Sequence, residues 1–172
     1  MAAVLGLFVY SGTNAATESG AAVTGISFFG STATSASDNT LGARQADPIT
    51  VGSNSASKSL RLKITTAPAN AVTNFKFWTD GSGTANVGLV GKVVGTGGAT
   101  PGTGGETPTT SAISGSTSAY TWTSGSPLTW DSASYSTVGN VTKSLVLQLQ
   151  PTGSATAGNW PQEVLSYSYD ET

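Results

Sequence analysis

The segment Ser59–Thr65 alternates strictly: Leu60, Leu62 and Ile64 share one parity, and Ser59, Arg61 and Lys63 the other. Successive side chains of a strand point to opposite faces, so this spacing predicts a strand with one buried and one wet face. Ser144–Gln150 repeats the pattern, with Leu145, Leu147 and Leu149 predicted inward and Ser144, Val146, Gln148 and Gln150 outward. No stretch keeps apolar residues at i, i+3 and i+4 for three turns, so long helices cannot supply the core. Strands are also predicted at Val4–Tyr10, Val23–Phe29, Val87–Val94 and Glu163–Tyr169, the last with Leu165, Tyr167 and Tyr169 on one face. In Asn74–Asp80, Phe75 and Phe77 share a face opposite Lys76 and Trp78. Ile49–Val51, after the Asp47-Pro48 turn, reads as a short edge strand, because proline cannot donate to a central ladder. Ala119–Thr123 and Leu128–Trp130 read as short strand pieces. Gly88 and Gly91 mark a bulge or a close approach within Val87–Val94.

Turn chemistry separates these runs, at Ala67-Pro68-Ala69-Asn70 and Asp80-Gly81-Ser82-Gly83. The pattern predicts an all-β fold, an antiparallel β-sandwich (Ig-like or jelly-roll-like) with long Gly/Ser/Thr loops and extended termini. One domain is expected over residues 1–172, with 1–50 as an extended docking arm and 95–118 as a long loop. Ser31–Asp38 and Pro151–Asn159 are expected as further loops. Gly97-Gly98, Pro101-Gly102, Gly104-Gly105 and Pro108 forbid a regular element in the long loop, which should be mobile unless a neighbouring molecule holds it.

Composition narrows the chemistry. The chain has no histidine and no cysteine, seven basic and nine acidic residues, and a net charge of −2. It therefore lacks the commonest general base, the commonest metal ligands and the thiol nucleophile. A disulfide-stapled scaffold is excluded. Ser and Thr together supply 51 of the 172 residues. The near-neutral balance, with no basic stripe, argues against nucleic acid as a partner. Ala2–Tyr10 is too short to span a bilayer, and the first positive residue is Arg44, so neither a membrane span nor a secretory signal is expected.

Each motif that could carry chemistry has a simpler reading. Ser55-Ala56-Ser57-Lys58 has the spacing of a serine–lysine pair but lies in a polar loop, where chance supplies it. The acids Glu18, Asp38, Asp47, Asp80, Glu106, Asp131, Glu163, Asp170 and Glu171 mostly stand beside turn residues and read as turn formers and solvated tips. Asp80-Gly81-Ser82-Gly83 offers calcium one carboxylate and no closing glutamate. Gly95-Thr96-Gly97-Gly98 follows a strand, but no helix and no Gly-Lys-Ser/Thr follow it. Arg61 and Lys63, with Lys58 nearby, read as the wet face of a strand, where charge blunts edge pairing. Trp78, Trp122, Trp130 and Trp160, with Tyr120 and Tyr135, lie near turns and could stack on sugars or anchor interfaces, or complete the core and its rim. Trp78 is expected to point outward. No catalytic, cofactor-binding or metal-binding residue is expected, and no cofactor.

In layout the chain resembles immunoglobulin-like virion structural proteins of tailed bacteriophages. The resemblance runs through Lys58-Ser59-Leu60-Arg61-Leu62-Lys63, Asn74-Phe75-Lys76-Phe77-Trp78-Thr79-Asp80-Gly81, Leu145-Val146-Leu147-Gln148-Leu149-Gln150 and the terminal Tyr167-Ser168-Tyr169-Asp170-Glu171-Thr172. It implies a non-enzymatic capsid decoration or cement protein, with the major capsid protein, other virion proteins and copies of itself as partners. Its location would be the virion, assembled in the host cytoplasm. A neck, collar or tail-fibre attachment protein is the nearest alternative. A carbohydrate-binding or adhesin module, using the aromatics, is a second.

Overall fold

A computed structural model of the chain describes residues 2–32, 41–81, 83, 85–98, 105–156 and 163–172. The readings placed on Asp38, Ser82, Trp160 and residues 33–38, 99–104 and 157–159 lie outside the described residues.

The strands are β1 (Val4–Ser11), β2 (Thr17–Glu18), β3 (Lys58–Thr66), β4 (Val72–Thr79), β5 (Val87–Val94), β6 (Thr117–Ser118), β7 (Leu128–Asp131), β8 (Ser144–Pro151) and β9 (Leu165–Glu171). One helix, α1 (Leu41–Ala46), and two short 3-10 turns complete the described elements. The strands form a large sheet in the order β2-β1-β3-β8-β5-β6 and a small one in the order β7-β4-β9, and every pairing is antiparallel. The two sheets pack face to face, so the fold is an all-β sandwich.

The core lies between them. Leu60, Leu62 and Ile64 of β3 and Leu145 and Leu147 of β8 meet Phe75 and Phe77 of β4, with Trp122, Trp130 and Tyr135 closing the side near β7. Phe77 stands edge-on to both Trp122 and Trp130, with ring centroids 6.0 and 5.9 Å away. Gly91 is a close approach and not a bulge. The β5–β8 register is unbroken there, and a methyl group at Gly91 would sit 2.6 Å from Leu147 Cδ2 and 2.9 Å from Trp122 Cη2. The bulge falls instead in β4, where Asn74 takes the left-handed conformation (φ 54°) that asparagine tolerates.

Several expectations are corrected. Val23–Phe29 is irregular: it passes the edge of β1, where Val23 N–H donates to Leu7 C=O, and lays Val23, Ile26 and Phe28 against the core. Ile49–Val51 is not a strand but leads into a turn closed by Ser53 N–H to Thr50 C=O. Ala119–Thr121 is a 3-10 turn, with the strand pairing shifted back to Thr117–Ser118. Within the stretch 1–50, β1 is built into the large sheet between β2 and β3.

The main correction concerns the outer face of the large sheet, which was expected to be wet. Ser59, Arg61, Ser144, Val146 and Gln148 are all buried there. Loop segments form a third layer over it. Asn14 N–H donates to Thr107 Oγ1, Ser57 and Thr109 exchange two hydrogen bonds, and Lys92 pairs with Glu106 and donates to Ser114 C=O. The described part of the long loop is therefore held by its own chain.

Candidate functional site

The outer layer is organised by Gln148. Its side-chain amide donates to the carbonyls of Ser55 (2.9 Å), Ser111 (3.0 Å) and Thr109 (3.3 Å). Its Oε1 accepts from Ile113 N–H (3.2 Å) and from the Gln150 amide (3.0 Å). β8 places this amide on the outer face, in the parity of Ser144 and Val146. A fully buried amide needs all its polar atoms engaged, and this one finds partners in a loop that has no periodic pattern of its own.

The cations of β3 are not a wet stripe. Arg61 is fully buried; its Nε donates to Ser144 Oγ (2.8 Å), and its two terminal nitrogens meet no hydrogen-bond partner among the described residues. Burial pulls the guanidinium below its ordinary pKa, while the phenols of Tyr10 and Tyr135 oppose that shift. Lys58 is 4% exposed, with its ammonium 4.7 Å from the Phe29 ring centroid, and desolvation lowers its pKa to about 8. Lys63 is half-buried, binds Glu18 through both carboxylate oxygens (2.8 and 3.0 Å) and lies 5.1 Å from the Phe8 ring centroid. The residues between β1 and β3 cover this face, so a charge that parity alone leaves in solvent is instead packed against aromatic rings.

The acids are also fastened. Glu18 accepts from Tyr10 Oη (2.8 Å) as well as from Lys63. Asp131, expected as a solvated turn residue, is buried and accepts from Lys143 N–H (2.8 Å), Tyr135 Oη (2.9 Å) and Ala133 N–H (3.0 Å). Burial and the bond to Asp131 push the Tyr135 phenol well above its ordinary pKa, as burial and Glu18 do for Tyr10. Asp170 accepts from Asn74 Nδ2 (2.7 Å), Glu171 from Ala3 N–H (3.0 Å), and Asp47 from both the N–H and the hydroxyl of Ser31 (3.3 and 2.8 Å). Among the described residues, no three carboxylates gather into a group that could hold a metal ion. Among them, too, no helix is long and apolar enough to cross a membrane.

The Ser-x-x-Lys spacing is likewise taken up by structure. Ser55 Oγ donates to Ala56 C=O (3.0 Å) and accepts from Leu149 N–H (3.0 Å), and Ser57 Oγ accepts from Thr109 N–H (3.0 Å). Of the aromatics, Trp122, Trp130 and Tyr135 are core residues and present no face to a ligand. Trp78, expected outward, is half-buried and packs partly on the core.

Tyr120 is the exception. It lines a shallow groove of about 470 Å³ with Gly81, Gly83, Asn86, Gln150 and Thr152. Gly83 lets the ring lie close: a methyl group there would sit 2.6 Å from Tyr120 Cε2. Burial, with the carboxylates of Glu163 and Asp80 nearby, raises the Tyr120 phenol to about 12, so it is neutral at physiological pH. A second groove of about 600 Å³ is lined by Ser31, Asp47, Thr50, Ser53, Asn54 and Thr110, with Asp47 as the carboxylate among its described residues. Sequence reading named Tyr120 but could not single it out, because its turn placement matches that of the buried tryptophans. Comparison with protein-family models, curated proteins and solved structures returns no match.

Proposed function

We propose that this chain is a non-enzymatic structural protein of a tailed-phage virion, acting as a capsid decoration protein that stabilises the shell through subunit contacts. The observation that supports this reading is the direction of its polar chemistry. The carboxylates and amides that could serve a reaction instead tie segments of one chain together: Glu171 holds Ala3, Glu18 holds Lys63, Glu106 holds Lys92, and Gln148 holds the long loop. A sandwich that fixes its own loops presents a preshaped surface, and docking such a surface loses little conformational entropy. Repetition by symmetry would then multiply a modest contact over the particle. Mass spectrometry of purified particles tests the reading. An abundance matching an icosahedral copy number is the expected result. A few copies per particle would move the chain to the neck or tail, and absence would overturn the proposal.

The Tyr120 groove favours carbohydrate binding as a second reading. A phenol ring flanked by Asn86 and Gln150 offers the mixture of stacking surface and amides that sugars use. A glycan array with the wild type and Tyr120→Ala decides it: binding lost in the variant supports the reading, and no binding by the wild type ends it.

A further inference from the structure

An exposed strand edge is a template for pairing, and folded proteins commonly keep such edges short, charged with lysine, interrupted by proline or bulged. The large sheet follows that rule at both ends, since β2 and β6 each have two residues. In the small sheet, β7 has four. The other edge, β9, has seven residues, Leu-Ser-Tyr-Ser-Tyr-Asp-Glu, with no lysine and no proline, and its two charges, Asp170 and Glu171, are confined to its C-terminal end. The bulge in the β4–β9 pairing lies on β4, so β9 itself runs regularly.

The hydrogen-bond ladder to β4 fixes which of its backbone groups are open. Asp80 N–H donates to Val164 C=O, and Ala71 and Thr172 exchange both bonds, so Val164 and Thr172 face β4. Because backbone direction alternates along a strand, Ser166, Ser168 and Asp170 face β4 as well. Leu165, Tyr167, Tyr169 and Glu171 turn their N–H and C=O groups away from it, and those groups meet no partner among the described residues. Beside this edge Val164 is 56% and Tyr167 37% exposed.

We infer that the β9 edge is a self-association surface, on which β9 of a second copy pairs antiparallel about a two-fold axis at Ser168. The strand's own pattern selects this occupant. Pairing about Ser168 sets Tyr167 opposite Tyr169 of the second copy and Leu165 opposite its Glu171, so all the outward residues of both strands are hydrogen-bonded. The acidic Asp170-Glu171 end of each strand then lies beside the apolar end of the other. Parallel pairing would stack the acids on each other, which is unfavourable. The aromatic pair covers the exposed Tyr167. The chain's net charge of −2 offers little general repulsion. This inference does not rest on the virion reading, and either can fail without the other.

Sedimentation equilibrium of the full chain, up to about 0.5 mM, tests it together with amide hydrogen exchange. The expected result is a reversible monomer–dimer equilibrium. The amides of Leu165, Tyr167 and Tyr169 should be protected at high concentration and exchange on dilution, whereas those of Ser166 and Ser168 stay protected throughout. Tyr167→Pro removes an outward N–H without touching the ladder to β4 and should weaken the dimer at least tenfold. Tyr167→Lys serves the same purpose if the proline variant does not fold. A monomer at every concentration overturns the proposal, as does a dimer whose outward amides remain unprotected. Protection that appears only when a different protein is added overturns it too.

Discussion

The guanidinium of Arg61 lies over the ring of Tyr10, 5.5 Å from its centroid, and the phenol of Tyr10 donates to Glu18. Glu18 is thus committed to Tyr10 and Lys63, and the buried cation leans on a π face in place of an anion. A cation–π contact of this kind contributes roughly 2 kcal/mol when desolvated, less than the several kcal/mol that an uncompensated buried charge costs. Arg61→Met keeps the length of the side chain and removes the charge. It forfeits the charge-assisted bond to Ser144, about 1.5–3 kcal/mol. The net expectation is a change between neutral and a gain of about 2 kcal/mol in urea unfolding. A loss of more than about 1 kcal/mol would show that Arg61 contributes a favourable interaction beyond the ring contact.

Gln148→Leu tests the outer layer. The apolar side chain fits the volume but leaves the carbonyls of Ser55 and Ser111 and the N–H of Ile113 without their partner, while Thr109 C=O keeps only Ser57 N–H. A loss of about 3–5 kcal/mol is expected. Limited proteolysis should show new cleavage confined to 105–116, since that segment is fastened through this amide. Cleavage spread evenly over the chain would instead mean that the whole sandwich has loosened.

The contrast between Leu62 and Arg61 shows what was legible in the sequence. Alternation identified β3, β4, β8 and β9 and sorted their residues into two faces, because a period of two is a property of the strand backbone. It could not say whether the second face is covered, because that depends on loops built from Ser, Thr and Gly, which carry no periodicity. One signal was present in β8. The run Leu145-Val146-Leu147 is apolar on both parities, which marks a strand buried on both sides. Ser144, Val146 and Gln148 are the residues that β8 buries on its outer face. Val23–Phe29 misled in the opposite direction. Its apolar residues have the composition of a strand, yet they close the sandwich past the edge of β1. Of the possible ligand surfaces, the Tyr120 groove alone contains an aromatic named in advance, and the ring's close seat against Gly83 left no mark in the local sequence.

Gly97 supports the buried carboxylate of Asp131. A methyl group at Gly97 would overlap the Tyr135 hydroxyl and come within 2.7 Å of Asp131 Oδ2. Both are buried, so neither can swing into solvent. Gly97→Ala should break the Tyr135–Asp131 bond and destabilise the fold by about 2–4 kcal/mol in urea unfolding. Gly125→Ala, where an added methyl meets nothing within 4 Å, is the control. It should change stability by no more than about 0.5 kcal/mol. Equal effects at the two positions would remove the packing argument.

Lys58 and the buried phenols together predict an alkaline optimum of stability. Burial lowers Lys58 from 10.5 to about 8 in the folded chain. Between those values the unfolded chain holds a proton that the folded chain has released, so stability rises with pH across that window. Below it both states are protonated and the full penalty applies, about 3 kcal/mol at ~1.4 kcal/mol per tenfold change. The phenols act in the opposite sense. Tyr10, Tyr120 and Tyr135 are raised above their ordinary value of 10.0, so above it the unfolded chain loses protons that the folded chain keeps, and stability falls. The melting temperature should climb from neutral pH to a maximum near about pH 10 and then drop. Lys58→Met should raise stability at neutral pH and flatten the climbing limb, while leaving the fall above pH 10 in place. A wild-type profile that declines steadily from pH 8 would show that the Lys58 ammonium is solvated or paired, and that burial does not displace its proton.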